Sequence, residues 1–288
     1  MLKMGFIGAG TVGTALAVRL REKGYPVVAV ASRSRASAER LAARVDGCQV
    51  CSSIEDVPRL AELAFITTPD DAIALVADQV PWPSGMRVIH CSGAHSLDIL
   101  GTVTKSGGMA GAFHPLQTFA NVEHAIGNIP GSTFGVEAEE PLLGELKEMV
   151  TALGGHCVVL KGSDKVLYHA AAVIACNYMV TLAKMATDLW QTFDVSVPEA
   201  TEALLPLMQG TVNNLKNVGL PNCLTGPVAR GDLGTIRKHL EALESRAPEL
   251  LSAYREMGRQ TIPIALAKGT IGEERAKELR ELFTPDYV

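Results

Sequence analysis

The stretch MGFIGAGTVG, residues 4–13, constrains this chain more than any other. A short apolar run meets glycines spaced G-x-G-x-x-G, at Gly8, Gly10 and Gly13, and an amphipathic segment follows. In TVGTALAVRLREKG, the residues Val12, Ala15, Leu16 and Leu20 fall on one helical stripe that ends at Gly24. A second apolar run, VVAVAS, comes at the distance that a strand–helix–strand unit requires. In that setting Gly8 permits the tight turn, Gly10 lets a pyrophosphate approach the backbone, and Gly13 allows helix and strand to pack closely. The pyrophosphate would rest on the N–H groups around Ala9, Gly10, Thr11 and Val12, at the positive end of the helix. The alternative is a tight turn in some other doubly wound fold.

The rest of the first half repeats the pattern. MGFIG, VVAVAS, CQVCS, AFITTP, RVIHCSG, GMAGAFHP, STFGVE and CVVLKG read as eight strands, with helical segments between the early ones. Strand–helix–strand repetition implies parallel strands joined by crossover helices. After about Lys161 the strand signals vanish. One long helical run covers Ser163 to Thr192, and others cover 197–217, 230–244, 246–268 and 272–284. The expectation is a doubly wound α/β Rossmann domain with a mostly parallel sheet over 1–160, then an all-α domain over 161–288.

Composition narrows the classes. At 47% hydrophobic and 20% charged, the 288 residues suit one large domain or two ordinary ones with a real core. A net charge of -5 argues against nucleic acid and anionic membrane surfaces as partners. The first residues carry no charged and apolar leader pattern, so a cytoplasmic protein is expected. HAAAVIACNYMVTLAKMA contains His169, Asn177 and Lys184 and reads as a buried helix rather than a membrane span. Of six scattered cysteines only Cys48 and Cys51 form a C-x-x-C, with no second pair nearby, so no metal site is expected.

The end of the second strand bears on which dinucleotide is bound. An NAD site wants an acid there for the ribose hydroxyls. This chain has Ser32, Arg33, Ser34 and Arg35, with no acid, which suits the 2′-phosphate of NADP. NAD is the lesser expectation, and the alternative is that Arg33 and Arg35 are solvated surface residues. Three later strand ends face the same crevice. Thr67, Thr68 and Pro69 could wall the cofactor, or simply open a helix. Ser92 could face nicotinamide or substrate, whereas His90 reads as structural. His114 follows a strand and precedes a proline, which suits proton transfer at a strand tip, with Gln117 and Thr118 as further polar contacts.

In the helical half, Lys165, His169, Val173 and Asn177 recur every four residues and form one slanting stripe. Polar groups among Ala, Val, Ile and Met need partners, and a substrate could be one. The alternative is hydrogen bonding within the core or across a subunit contact. The loop CLTGPVARGD offers Thr225 and Arg230 to a substrate anion, or else is an ordinary helix start with Asp232 in its first turn.

GAFHPLQTF, TFGVE, YHAAAVIACNYMV and LTGPVARGD resemble the signatures of a bacterial family that joins a Rossmann-like domain to domain of unknown function 2520. The two-domain plan is similar to the wider superfamily of 6-phosphogluconate, 3-hydroxyisobutyrate, ketopantoate, prephenate and pyrroline-5-carboxylate oxidoreductases. The resemblance implies an NADP-dependent oxidoreductase acting on a small molecule, and a homodimer joined through the helical domains. By resemblance to prephenate dehydrogenases, His114 is a candidate acid/base group. Many relatives carry a lysine and an asparagine one turn apart on the first long helix. Here Asn177 is preceded by Val173, and Lys165 is followed by His169, so their pair is not reproduced. Catalysis then falls to His114, His169 and Asn177, with Lys165, Thr225 and Arg230 on the substrate side. A non-catalytic NADP-bound sensor is the rival class, and a deazaflavin carrier a third.

Overall fold

The computed structural model of the protein describes residues 1–284. The chain divides into two compact units, Met1–Cys176 and Asn177–Val288. In the first, β1 (Met4–Ile7), β2 (Val27–Ala31), β3 (Gln49–Val50), β4 (Leu63–Ile66), β5 (Arg87–His90), β6 (Met109–Leu116), β7 (Thr133–Ala138) and β8 (His156–Val159) form one sheet. Its order is β3-β2-β1-β4-β5-β6-β7-β8. The helices α1 (Thr11–Glu22), α2 (Arg35–Ala42), α3 (Val57–Leu60), α4 (Asp70–Gln79), α5 (Gly101–Lys105), α6 (Val122–Asn128), α7 (Leu142–Ala152) and α8 (Lys165–Ala175) complete the unit.

Each central strand is apolar on both faces because helices cover both sides. On one face Phe6, Phe65, Phe113 and Phe134 form a row across four strands, with successive ring centroids 5.0, 5.9 and 4.7 Å apart. Leu16 and Leu20 of α1 and Leu146 and Met149 of α7 belong to the same cluster. On the other face Ile7, Ile66 and Val88 pack with Ile73, Trp82 and Leu100. Burying each such side chain contributes roughly 1.5–3 kcal/mol.

All eight expected strands form, but one pairing differs from a purely parallel reading. β7 runs antiparallel to β6, pairing His114 with Gly135 and Leu116 with Thr133. The chain leaves β6 and re-enters the sheet at the same end, after a short α6 that lies against α1, so no crossover is made. Parallel order resumes between β7 and β8.

The second unit is helical: α9 (Asn177–Gln191), α10 (Val197–Asn217), α11 (Pro227–Arg230), α12 (Leu233–Arg246), α13 (Pro248–Lys268) and α14 (Glu273–Phe283). Ile236, Leu240, Ile262, Leu279 and Phe283 make its core. Ser196 and Glu199 form a capping box that starts α10.

Three sequence expectations change here. The units divide after Cys176 rather than at 160/161, because Lys165 and Tyr168 of α8 pack against Glu137 and Gly135 of β7. The run from Ser163 to Thr192 is two helices broken at Cys176, so Asn177 does not continue the stripe of Lys165, His169 and Val173 on one α-helix. The run is also not buried. Leu167, Ile174, Val180 and Leu182 are exposed, as are Leu205 and Leu207 of α10. Helices α9 and α10 lie against each other and leave much of their apolar surface uncovered. By length and composition alone, the stretch Gly162–Gln191 could cross a membrane.

Candidate active site

The strand order reverses between β1 and its neighbours β2 and β4, and ligands in such sheets bind at that switch point, beyond the carboxyl ends of the strands. The glycine turn sits there. Gly8 has φ +108°, a conformation that favours glycine, and a Cβ on it would lie 2.7 Å from the Thr67 backbone. A Cβ on Gly13 would lie 2.6 Å from the Gly8 carbonyl oxygen and press on the Thr67 hydroxyl, which itself donates to that carbonyl at 2.7 Å. Nothing lies within 4 Å of a Cβ placed on Gly10. Gly10 therefore faces open space, as a backbone that receives a bulky anion must.

That space is a cavity of about 510 Å³. Gly8, Ala9 and Gly10 form one wall, Ser32, Arg33 and Ser34 another, and Thr67, Thr68 and Pro69 a third. The Thr68 hydroxyl, on a residue of this cavity wall, is buried without a hydrogen-bond partner. The sequence-assigned dinucleotide residues thus share one cavity, apart from Thr11, Val12, Gly13 and Ser92.

A second cavity, about 200 Å³, lies at the tips of β5 and β6 and takes in Val12, Asp70, Cys91, Gly93, His114, Gln117 and His169. The rings of His114 and His169 stand edge to face with centroids 5.9 Å apart. Gly93 is the spacer between them. A Cβ there would lie 2.7 Å from His169 Nδ1 and 2.8 Å from His114 Nε2. His114 Nδ1 lies 2.9 Å from the Tyr168 hydroxyl. Burial, helped by His169 and Lys165 and opposed by Asp70, lowers the His114 pKa to about 4. Tyr168, pushed by burial to about 12 against the pull of the Gly135 backbone, stays protonated. Its hydroxyl can give its one proton to His114 Nδ1. The satisfied tautomer carries its proton on Nε2, aimed toward Gly93 and the cavity.

Ser92 differs from expectation. It is buried, and its hydroxyl donates to Asp70 at 2.6 Å while accepting from the N–H groups of Ala94 and His95. It orients Asp70 at the cavity instead of meeting a ligand. Lys165 is 1% exposed and lines neither cavity. Its Nζ stands 4.0 Å from Glu137 Oε2, and neither atom has a hydrogen-bond partner. Burial lowers its pKa to about 8, against the pull of Glu137, Cys91 and Asp70. His90, the last residue of β5, is fully buried and accepts from the Ser92 N–H, which fits a structural role. Asn177, Thr225 and Arg230 are exposed on the second unit. There Asp232 caps α12 by accepting from the Thr235 N–H at 3.0 Å, the ordinary helix start. The sequence reading gave no role to Tyr168, Glu137 or the spacer Gly93. Their only signal is adjacency to His169, to the TFGVE strand and to Ser92.

Cys48 and Cys51 flank β3. Burial, with Cys51 adding, holds the Cys48 thiol near 12, where it is a poor nucleophile. Among the described residues no group of three or more His, Cys, Asp or Glu is arranged to hold a metal.

The acid side of the stability curve follows from the histidines. Burial, with Lys165 adding, lowers His90 to about 3. The unfolded chain takes up protons on both His90 and His114 below the ordinary value of about 6.5. The folded chain resists until about 3 and about 4. Their contribution is therefore fully present above pH ~6.5 and is lost as pH falls through that window, by several kcal/mol in all. Urea midpoints measured from pH 7 to 4 should fall steeply, and His90→Gln should flatten the slope below pH 6.

This is the Rossmann-like class: a doubly wound sheet with a glycine turn at its switch point. Residues 1–115 match the Rossmann-like domain model, and residues 132–261 match that of domain of unknown function 2520, so the chain carries both domains in that order. BF3122 from Bacteroides fragilis, provisionally named an NADP oxidoreductase, is 24% identical with TM-score 0.74, covering 91% of this chain and 98% of its own. Protein TM1727 from Thermotoga maritima is 26% identical with TM-score 0.64, covering 97% and 98%. A reductive aminase from Aspergillus terreus, in complex with NADPH and ethyl-5-oxohexanoate, is 16% identical with TM-score 0.63, covering 98% and 92%. These likenesses establish the fold. No curated protein matches the chain.

Proposed function

We propose that the chain is an NADP-dependent oxidoreductase that moves a hydride between nicotinamide and a small substrate, a hydroxy or oxo acid. The observation that carries this reading is the pair of cavities flanking the consecutive residues Pro69 and Asp70: one open at Gly10 and rimmed by Ser32–Arg33–Ser34, the other walled by His114 and His169. The Aspergillus terreus relative, which holds NADPH beside an oxo ester, is in keeping with it. NADPH, when bound, supplies the hydride. Gly8, Ala9, Gly10 and Thr11 hold the pyrophosphate, Arg33 with Ser32 and Ser34 the 2′-phosphate, and Thr68 a ribose hydroxyl.

His114, neutral at physiological pH, donates a hydrogen bond from Nε2 to the substrate oxygen, and the proton that completes the reduction comes from water. His169 and Gln117 complete the wall. Lys165 is charged at neutral pH and loses its charge near 8, but it stands sealed beside Glu137 and not in the cavity wall. Asn177, Thr225 and Arg230 are the substrate-side candidates of the helical unit. Arg33→Asp should reverse the coenzyme preference, weakening NADPH by about tenfold or more through one lost charge-assisted hydrogen bond and one new repulsion. Fluorescence titration with NADPH and NADH reads both arms, and an unchanged preference contradicts the phosphate assignment.

A second reading, a coenzyme-bound sensor without turnover, draws on the sealed position of Lys165. Oxo acids and imines screened with NADPH at the nicotinamide absorbance separate the two. We further propose that two copies pair through the exposed apolar faces of α9 and α10. Light scattering should then give twice the 30.5 kDa chain mass, and a single mass at micromolar concentration removes the dimer.

A further inference from the structure

A third cavity, about 280 Å³, adjoins the coenzyme cavity and shares Ala9, Gly10 and Ser37 with it. Its other walls are Thr11, Thr14, Arg40, Arg44 and Val122. Two guanidiniums, three hydroxyls and the start of α1 face it, and its lining contains no carboxylate. Ser37, Arg40 and Arg44 recur at three- and four-residue spacing, so one face of α2 and its extension carries them. Arg44 is anchored to Glu123 at 2.6 Å, and Arg35 is paired with Glu39 at 2.9 Å. Arg40 has no carboxylate partner among the described residues. It donates to Ser37 Oγ at 2.8 Å, which holds the guanidinium beside one of the three residues common to both cavities.

We infer that Arg40 is a specificity-determining residue for the coenzyme, meeting the 2′-phosphate from the side opposite Arg33. The inference rests on the NADP reading above. Arg33 rims the adenosine cavity and Arg40 the adjoining one, so a phosphate monoester at Ser37 lies between two guanidiniums. NADH brings its pyrophosphate to Ala9, Gly10 and Thr11 but has no phosphate monoester to place at Ser37 beside Arg40. The planar fork of Arg40 offers several N–H donors, of which the bond to Ser37 uses one.

The test is a set of dissociation constants for native protein, Arg40→Ala and Arg40→Lys with NADPH, NADH, 2′,5′-ADP, 5′-AMP and inorganic phosphate. Arg40→Ala should weaken NADPH and 2′,5′-ADP by about tenfold or more and leave NADH and 5′-AMP within about twofold. Arg40→Lys should recover part of the loss, since the charge stays and the fork is gone. Equal weakening of NADPH and NADH, or none of either, overturns the assignment while the NADP reading stands. An effect confined to inorganic phosphate also overturns it, making the cavity a free-anion site. A native chain that binds no coenzyme removes the NADP reading itself.

Discussion

Alanine at Gly10 should abolish tight NADPH binding and leave the fold untouched, whereas alanine at Gly13 should do the reverse damage first. The two positions are three residues apart in one motif, yet their surroundings are opposite. A Cβ at Gly10 meets nothing within 4 Å in the protein alone. It projects into the space that the coenzyme's pyrophosphate needs, and losing one or two charge-assisted bonds there costs about 10²-fold in affinity. A Cβ at Gly13 has no such freedom. It meets the Gly8 carbonyl oxygen at 2.6 Å and the Thr67 hydroxyl, both held in the β1–β4 contact. Overpacking of this kind costs about 1–3 kcal/mol, or several degrees of melting temperature. Melting curves and NADPH titrations on the two variants therefore separate. Equal melting loss at Gly10 and Gly13 would contradict the reading of Gly10 as cradle.

The second large effect is at the paired histidines. With a substrate in hand, His114→Ala should lower kcat by about 10²–10⁴ while NADPH affinity stays within a few-fold, because its ring lines the smaller cavity and not the coenzyme's. Its pH signature should be distinctive. His114 is held neutral down to about pH 4, so it adds no titration near neutrality. Lys165 loses its charge near 8 but lines neither cavity, so it hands no proton to the substrate. A limb near pH 6.5 that disappears in His114→Ala would contradict the buried, neutral imidazole. Tyr168→Phe gives a milder companion, since it releases His114 from the tautomer that points Nε2–H at the cavity.

Why the site was only partly legible in the sequence is a matter of range. The glycine turn and all eight strands are local signals: spacing fixes the turn, and runs of Val, Ile and Phe mark the strands. The serine–arginine rim at 32–34 is also local. The antiparallel return of β7 is not, because it depends on where the chain re-enters the sheet after α6. Ser92 read as a ligand contact because its strand-end position is right. Only the fold reveals that Asp70, 22 residues earlier, takes its hydroxyl. Lys165 and His169 do share a helical face, but burial against Glu137 withdraws Lys165 from both cavities. The apolar run over α9 reads as core by composition. Its exposure is visible only when its neighbours are known, and a surface so apolar is the kind that monomers rarely leave uncovered.

Every chemical role assigned here presupposes a phosphorylated dinucleotide at the glycine turn. Isothermal titration of the purified chain with NADPH and with NADH tests that premise most directly. The account predicts one NADPH per chain at micromolar or tighter affinity, and NADH binding weaker by about tenfold or more. Heat of binding for neither coenzyme at millimolar concentration would contradict it.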